Sequence, residues 1–385
     1  MDRIDRYILK HLAGPFFGAL LGALALMMLE RMLRLLDLVG ESEDALGYVF
    51  DMLANLVPHY LGLALPAALF IACYAGYRRL ADSSELAAFA SIGRGLGRLA
   101  LPAILVAIVL TIVSAYVHSH LQPHGRYAFR TLGFLAANAS IAAALESGAF
   151  VEFQGVTFMA ERSGEPGRAL SRVFVHERSE DGAARTVTSA AGALFEDRAG
   201  ERSQLSFRDG LLVDEAADGE RAVIAFQALE WPIDSAAFGE FRPRGATERE
   251  LTWPELLPAL DTPPTQATRE QIASEIHGRA ARSLMVLIVP FLAIPLATAG
   301  GRTRSVAPLA VGIIAFLFFI QSLQFAEGMA DLGRLSAPVA IWTPVLLFAA
   351  GSGWLFWRAW RGVGFDPSFD WIRLPRIRRR ARAAA

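Results

Sequence analysis

Six apolar stretches organise this chain, three on each side of a polar block. They cover residues 12–29, 56–77, 99–117, 283–301, 306–326 and 338–357. A helix rises about 1.5 Å per residue, so roughly 18–20 apolar residues cover the ~30 Å of hydrocarbon in a bilayer. Each stretch approaches or exceeds that length, which predicts six transmembrane helices. Between the third and the fourth the pattern changes to short strands, expected at 149–153, 156–160, 170–178, 185–189, 193–196, 204–207, 211–214 and 221–230. In one of them Val173, Val175 and Glu177 share one face while Phe174 and His176 share the other. The separators are turn-formers: Gln154-Gly155, Gly164-Glu165-Pro166-Gly167, Asp181-Gly182, Asp209-Gly210 and Asp218-Gly219. Short strands about ten residues apart fit an antiparallel sandwich or jelly roll. After the breaker Pro263-Pro264, residues 265–282 read as an amphipathic helix running into the fourth span.

The expected fold is therefore a polytopic α-helical membrane protein with an inserted all-β jelly-roll domain. Spans one to three occupy 1–117 and the extramembrane block 118–275. Spans four to six occupy 276–357, and a basic tail follows at 358–385. Hydrophobic residues make up 54% of the 385 and charged residues only 19%, too few for a soluble chain of this length. The net charge of −1 is segregated: residues 118–275 hold 24 acidic and 15 basic side chains, whereas 358–385 hold eight Arg against Asp366 and Asp370. Lys10 is the sole lysine, a compositional bias. The one cysteine, Cys73, lies in an apolar stretch, so the extramembrane block must be held by its core rather than by disulfides. The first apolar run continues through Leu35-Leu36 without a small-x-small cleavage site, so it is expected to stay as a first span.

Arginine and lysine accumulate in cytoplasmic loops. Arg3, Arg6 and Lys10 precede the first span. Arg78, Arg79, Arg94 and Arg98 lie in the loop 78–98, and Arg302 and Arg304 between the fourth and fifth spans. Six spans put all of these and the tail on one side. Both termini are then cytoplasmic and the β block is outside. The other loops are acidic or mixed: Asp37, Glu41, Glu43 and Asp44, then Glu327, Asp331 and Arg334.

Several residues carry candidate chemistry. Arg31 and Arg34, three apart on one helical face at the outer end of the first span, run against the positive-inside bias. Guanidinium forks match phosphate oxygens. The competing reading is a Glu30–Arg34 surface pair or snorkelling to ordinary headgroups. Asp82 followed by Glu85 fits a helix cap with an acidic third position, placing Leu86, Phe89, Ala90 and Gly93 on one face of a short helix. That ridge needs either a partner groove or lipid. Gly14, Gly18 and Gly22 recur every four residues, which suits close packing of membrane helices, within the chain or as a gate against a partner. His118, His120 and His124 cluster, but Pro123 spoils metal geometry, and no metal is expected. Gln321, Gln324 and Glu327 read as interhelical glue. There is no G-x-x-x-x-G-K-[ST] phosphate loop and no catalytic triad pattern, so neither ATP hydrolysis nor other enzyme activity is expected of this chain. No cofactor is implied. The basic tail suits anionic lipid better than nucleic acid.

Layout and local motifs together resemble the lipopolysaccharide-export permease family (LptF/LptG), over essentially the whole chain. The segments that carry it are Leu29-Glu30-Arg31-Met32-Leu33-Arg34-Leu35-Leu36, the loop Ser83-Ser84-Glu85-Leu86-Ala87-Ala88-Phe89-Ala90-Ser91-Ile92-Gly93, and Glu275-Ile276-His277-Gly278-Arg279 followed by Pro290 and Pro295. The first and the third are more similar to the F-type subunit, and the loop is similar to the family's cytoplasmic coupling segment. Glu30 departs from the neutral residue expected before the basic pair. The resemblance implies an inner-membrane permease of a Gram-negative bacterium that extracts lipopolysaccharide, with Arg31 and Arg34 near its phosphates. It implies ATPase contact through Glu85, Leu86 and Phe89. The implied partners are a related permease subunit (LptG-like), a cytoplasmic ATPase dimer (LptB-like) and periplasmic bridge and anchor proteins (LptC-like, LptA-like). The alternative is a lipoprotein-release or mechanotransmission permease, or a scaffold that moves no lipid. Such permeases place their large outside domain after the first span, not the third.

Overall fold

The computed structural model describes residues 2–39, 45–147, 150–153, 156–162, 169–178, 184–196, 203–215, 221–233, 241–299 and 306–362. Residues 363–385 of the basic tail expected at 358–385, the loop arginines Arg302 and Arg304, and Glu41, Glu43 and Asp44 fall outside them. Among the described residues, five α-helices precede the sheet: α1 (Arg3–Val39), α2 (Ala45–Asp82), α3 (Glu85–Ser91), α4 (Leu96–Tyr116) and α5 (Gln122–Ser147). Four follow it: α6 (Trp253–Ala259), α7 (Arg269–Thr298), α8 (Ala307–Asp331) and α9 (Ala337–Trp360).

Among the described residues, six helical segments are long and apolar enough to cross a membrane: Arg3–Leu36, Leu46–Asp82, Leu96–Leu135, Arg269–Thr298, Ala307–Asp331 and Ala337–Trp360. Each contains one of the expected apolar stretches or most of it. The third continues beyond the expected stop at 117, because α4 passes through a π-helical turn at Val117–Leu121 into α5. That turn lies just before Pro123, whose missing N–H and bulky ring disturb the α-helical ladder. A wider turn lets the helix continue. The fourth span begins with a capping box, Gln271 N–H on Thr268 Oγ1 at 3.3 Å and Thr268 N–H on Gln271 Oε1 at 2.9 Å.

The chain forms two compact units. The first comprises Met1–Ala25, His59–Leu121 and Trp253–Ala385. Its core interleaves Leu69, Phe70 and Tyr77 of α2, Ala100 and Ala103 of α4, Val286, Val289 and Ile294 of α7, Phe316 and Phe319 of α8 and Ile341 of α9. Cys73 is fully buried among them as a free thiol. Polar contacts tie this core together: Tyr77 Oη donates to the Leu99 carbonyl at 2.7 Å. Two of the loop arginines also have intramolecular roles. Arg98 grips Asp5 through two hydrogen bonds of 2.9 and 3.1 Å and reaches Asp2 at 3.2 Å, while Arg94 meets Asp2 at 3.0 Å.

The second unit comprises Leu26–Pro58 and Gln122–Thr252. A small apolar cluster joins Leu35 of α1, Val49, Met52 and Leu53 of α2, and Phe129 and Leu132 of α5. Its strands are β1 (Val151–Phe153), β2 (Val156–Arg162), β3 (Ala169–Arg178), β4 (Ala184–Glu196), β5 (Ser203–Glu215) and β6 (Arg221–Ile233). They form one antiparallel sheet in the order β1-β2-β3-β4-β5-β6. The alternation holds: Val173, Val175, Val187 and Phe207 are buried, and His176 Nδ1 lies 2.9 Å from Thr186 Oγ1 across the strand pair. Two differences from expectation matter. The described strands connect neighbour to neighbour as a meander rather than with a jelly roll's crossover, because the short separators span too few residues to pass over another strand. Eight expected strands are also six, since 185–189 and 193–196 merge into β4 and 204–207 and 211–214 into β5.

Asp209-Gly210 is therefore a kink within β5, not a hairpin turn. Asp209 has φ +52° and Arg172, in β3, φ +49°. Ladder pairing resumes in register on both sides, Ser171 with Ala191 and Val173 with Ser189, then Ala191 with Arg208 and Ser189 with Gly210. Gly210 is obligatory there: an added Cβ would sit 2.3 Å from the Thr188 carbonyl oxygen and 2.5 Å from the Phe226 ring.

Candidate functional site

The candidate residues fall into four places, two in each unit. On α1, Arg34 Nη2 pairs with Glu30 Oε1 at 2.6 Å, and both side chains are about two-thirds exposed. This is the surface pair anticipated as the competing reading. Arg31 behaves differently. Its guanidinium lies 5.4 Å from the centroid of the Phe129 ring of α5, a cation–π arrangement. Its Nε is buried without a hydrogen-bond partner among the described residues. The shared helical face is thus real, but the two guanidiniums have separate partners.

The second place is the α2–α3 corner. Asp82 does not cap α3. It ends α2, paired with Arg78 at 3.1 Å. The cap position belongs to Ser84, whose backbone is left-handed at φ +61°, and Glu85 is the first helical residue, not the third. The Ser83 hydroxyl donates to Glu85 Oε1 at 2.9 Å. Leu86 and Phe89 pack against the core of their own unit, so they are not the exposed ridge that the spacing predicted. The open side of α3 carries Ala87, Ala88, Ala90 and Ile92, the last 67% exposed. Seven residues of helix cannot bury both faces, and the bundle takes the larger side chains.

Gly14, Gly18 and Gly22 have nothing within 4 Å of a built Cβ among the described residues, so none of those residues packs on the stripe. His118 and His120 sit in the π-helical turn, His118 buried with Nδ1 2.8 Å from the Ser114 carbonyl oxygen and His120 stacked on Tyr116.

The third place, on α7 and α8, was missed as a unit. Arg279, only 2% exposed, donates from Nε to Glu275 Oε1 at 2.8 Å. Arg282 donates to the other oxygen of Glu275 at 3.2 Å and to both oxygens of Glu327 at 3.0 and 2.9 Å. Gly278 makes room for this: a Cβ there would lie 2.8 Å from Glu327 Oε1. Two carboxylates and two guanidiniums thus form a neutral chain between helices, the arrangement a low-dielectric setting requires. The i, i+4 and i, i+7 spacing of Glu275, Arg279 and Arg282 was visible in the sequence; the partner Glu327 was identified only as glue.

The fourth place is Glu250, 1% exposed in the second unit. Arg242 holds it bidentately at 2.9 and 2.8 Å, Arg130 of α5 reaches Oε1 at 2.9 Å, and the Gly245 N–H reaches Oε2 at 3.3 Å. Arg244 donates to its backbone carbonyl at 2.8 Å, and Tyr127 Oη to that of Arg242 at 3.0 Å. Burial alone would raise the carboxyl pKa, but the hydrogen bonds and charge of Arg242, helped by Gly245 and Arg130, outweigh it and hold the group below the ordinary glutamate value. Nothing in local spacing signals this clasp, since Arg130 is 120 residues from its partner.

No set of these residues forms a nucleophile–base pair, and among the described residues no three His, Cys, Asp or Glu side chains are grouped to hold a metal. What the arrangement offers is a membrane bundle with a bare small-residue stripe, a cation at one helix end and a short corner helix. A search of curated proteins gives no match. The sequence profile described as lipopolysaccharide export system permease LptF/LptG matches residues 6–358, spanning both triplets of helices and the sheet, and the chain belongs to that family.

Proposed function

We propose that this chain is the F-type permease subunit of an ATP-driven exporter that lifts lipopolysaccharide out of the inner membrane and passes it to a periplasmic bridge. The observation that carries the reading is the family match across the whole of the three-plus-three layout. Both termini are in the cytoplasm and the sheet is in the periplasm in this reading, which the gathering of Arg78, Arg79, Arg94 and Arg98 in one loop supports. The meander sheet serves there as a trough for acyl chains, and β6, at the edge of the sheet among the described residues, is available for pairing with a bridge protein.

In this reading a related subunit packs on the glycine stripe of α1, with Gly14, Gly18 and Gly22 forming a sliding seam that opens the cavity laterally. Arg31 and Arg34 hold lipid phosphates: Arg31 has an unsatisfied buried N–H, and Arg34 can exchange the exposed Glu30 carboxylate for a phosphate at little cost. The ATPase dimer docks on the corner at Glu85, against Ala87, Ala88 and Ile92 rather than against Leu86 and Phe89. Crosslinking of lipopolysaccharide in membranes tests the grip. Arg31→Glu combined with Arg34→Glu should lower the crosslinked yield at least tenfold while subunit assembly is retained. An unchanged yield would remove the role of the pair.

A further inference from the structure

One face of α2 changes character along its length. Ile71, Tyr74, Ala75, Arg78, Arg79 and Asp82 follow one another at helical spacing, apolar first and charged last, over about 18 Å if Ser83 is included. Leu309 and Ile313, four apart near the start of α8, form the opposite wall. Between them runs a groove of about 770 Å³, within the roughly 300–1,000 Å³ of ordinary ligand sites. Its apolar part is open to the side, with Ile71 and Ile313 both more than two-fifths exposed. Its polar end has a division of labour. Arg78 is engaged, with Nε on Asp82 at 3.1 Å and Nη1 on the Ala299 carbonyl at 3.1 Å, where α7 ends. Arg79 also lines the groove, and no carboxylate pairs with it among the described residues. The lining itself carries two guanidiniums and the carboxylate of Asp82, which Arg78 engages; Glu85 lies beside it, bound by Ser83, so Arg79 is the one lining cation not engaged by a lining carboxylate at the end of an apolar slot.

We infer that this groove is a binding site for a single anionic phospholipid, its acyl chain lying along Ile71, Ala75, Leu309 and Ile313 and its phosphate against the Arg79 guanidinium. The occupant follows from the pattern. A detergent-like or neutral lipid gains nothing from Arg79, and a soluble anion gains nothing from the apolar wall. Only an amphiphile with a negative head uses both. The headgroup then sits beside Ser83 and the left-handed Ser84, where α2 turns into α3, and steadies that corner. The inference depends on the proposed orientation only for naming the leaflet, which would be the cytoplasmic one. Sidedness is separately read by labelling single cysteines from either face.

The test is native mass spectrometry of the full chain after delipidation, titrated with phosphatidylglycerol or with phosphatidylcholine of the same acyl chains. The wild type should bind one phosphatidylglycerol saturably, about fivefold more tightly than phosphatidylcholine, the increment expected of one arginine near a headgroup. Arg79→Glu should erase the preference, Arg79→Lys should keep it, and Ile313→Trp, which fills the apolar half, should weaken both lipids. A preference unchanged in Arg79→Glu overturns the site, whether or not Ile313→Trp folds. So does non-saturable binding, which marks an ordinary lipid annulus, and so does displacement by a protein subunit seated in the groove.

Discussion

Arg34 of α1 and Arg282 of α7 are both arginines near the end of a membrane span, yet they sit in opposite circumstances. Arg34 holds one carboxylate four residues back on its own helix, in the open. Arg282 holds two carboxylates from two helices, and its partners are 15% and 20% exposed. An exposed i, i+4 pair contributes about 0.3–0.5 kcal/mol and exchanges readily. A buried network contributes little net stability relative to apolar packing, but losing one member strands a charge at a cost of about 3–5 kcal/mol. Residue type and span position alone do not separate an exchangeable surface arginine from a staple arginine; the second partner does.

The most direct way to break that distinction is Glu275→Ala, which removes the carboxylate that Arg279 and Arg282 share. It should destabilise the detergent-solubilised protein by about 3–5 kcal/mol, read as an early thermal transition and loss of a monodisperse peak. A variant as stable as the wild type would reduce α7 and α8 to ordinary packing. The Glu250 clasp should come next. Glu250→Gln keeps the shape but discards the charge, and should cost about 2–3 kcal/mol in the second unit, measured as faster limited proteolysis of the sheet. The pH dependence has a definite sign. The folded carboxyl pKa is lowered, so its contribution is complete above the ordinary glutamate range and disappears as pH falls through the depressed value. Proteolytic protection should therefore decline on acidification in the wild type and stay flatter in Glu250→Gln. The smallest effect on stability belongs to Arg34→Ala, within about 0.5 kcal/mol. A loss of lipid crosslinking without any thermal shift would sharpen the contrast between the two kinds of arginine. Glu85→Lys belongs in the same class: no change in the isolated subunit, loss of ATPase co-purification from the assembled one.

Much of the architecture could be read directly from the chain. Apolar runs of membrane length leave few alternatives, and the amphipathic run after Pro263-Pro264 announced the start of α7. The misreadings share a cause. Asp209-Gly210 has the chemistry of a hairpin turn, and only cross-strand pairing reveals that the strand continues through it. The third apolar run ends at Val117, while a π-helical turn at Val117–Leu121 carries the helix on through Pro123. Asp82 looked like a cap because its neighbours were judged without knowing that Arg78 claims it. For the candidate site, Glu30–Arg34 was legible because both partners lie one turn apart, whereas Arg282–Glu327 and Arg130–Glu250 join residues 45 and 120 positions apart. Spacing rules end where tertiary partners begin.

The left-handed backbones at Arg172 and Asp209 have a consequence for how the sheet can flex. Both occur at one level of adjoining strand pairs, beside a hollow of about 400 Å³ bordered by Met159, Phe174 and Leu211. A line of weakened ladder crossing several strands acts as a crease, so curvature concentrates there instead of spreading along each strand. Widening or narrowing the hollow then requires rotation about a few backbone bonds, with the pairing above and below left intact.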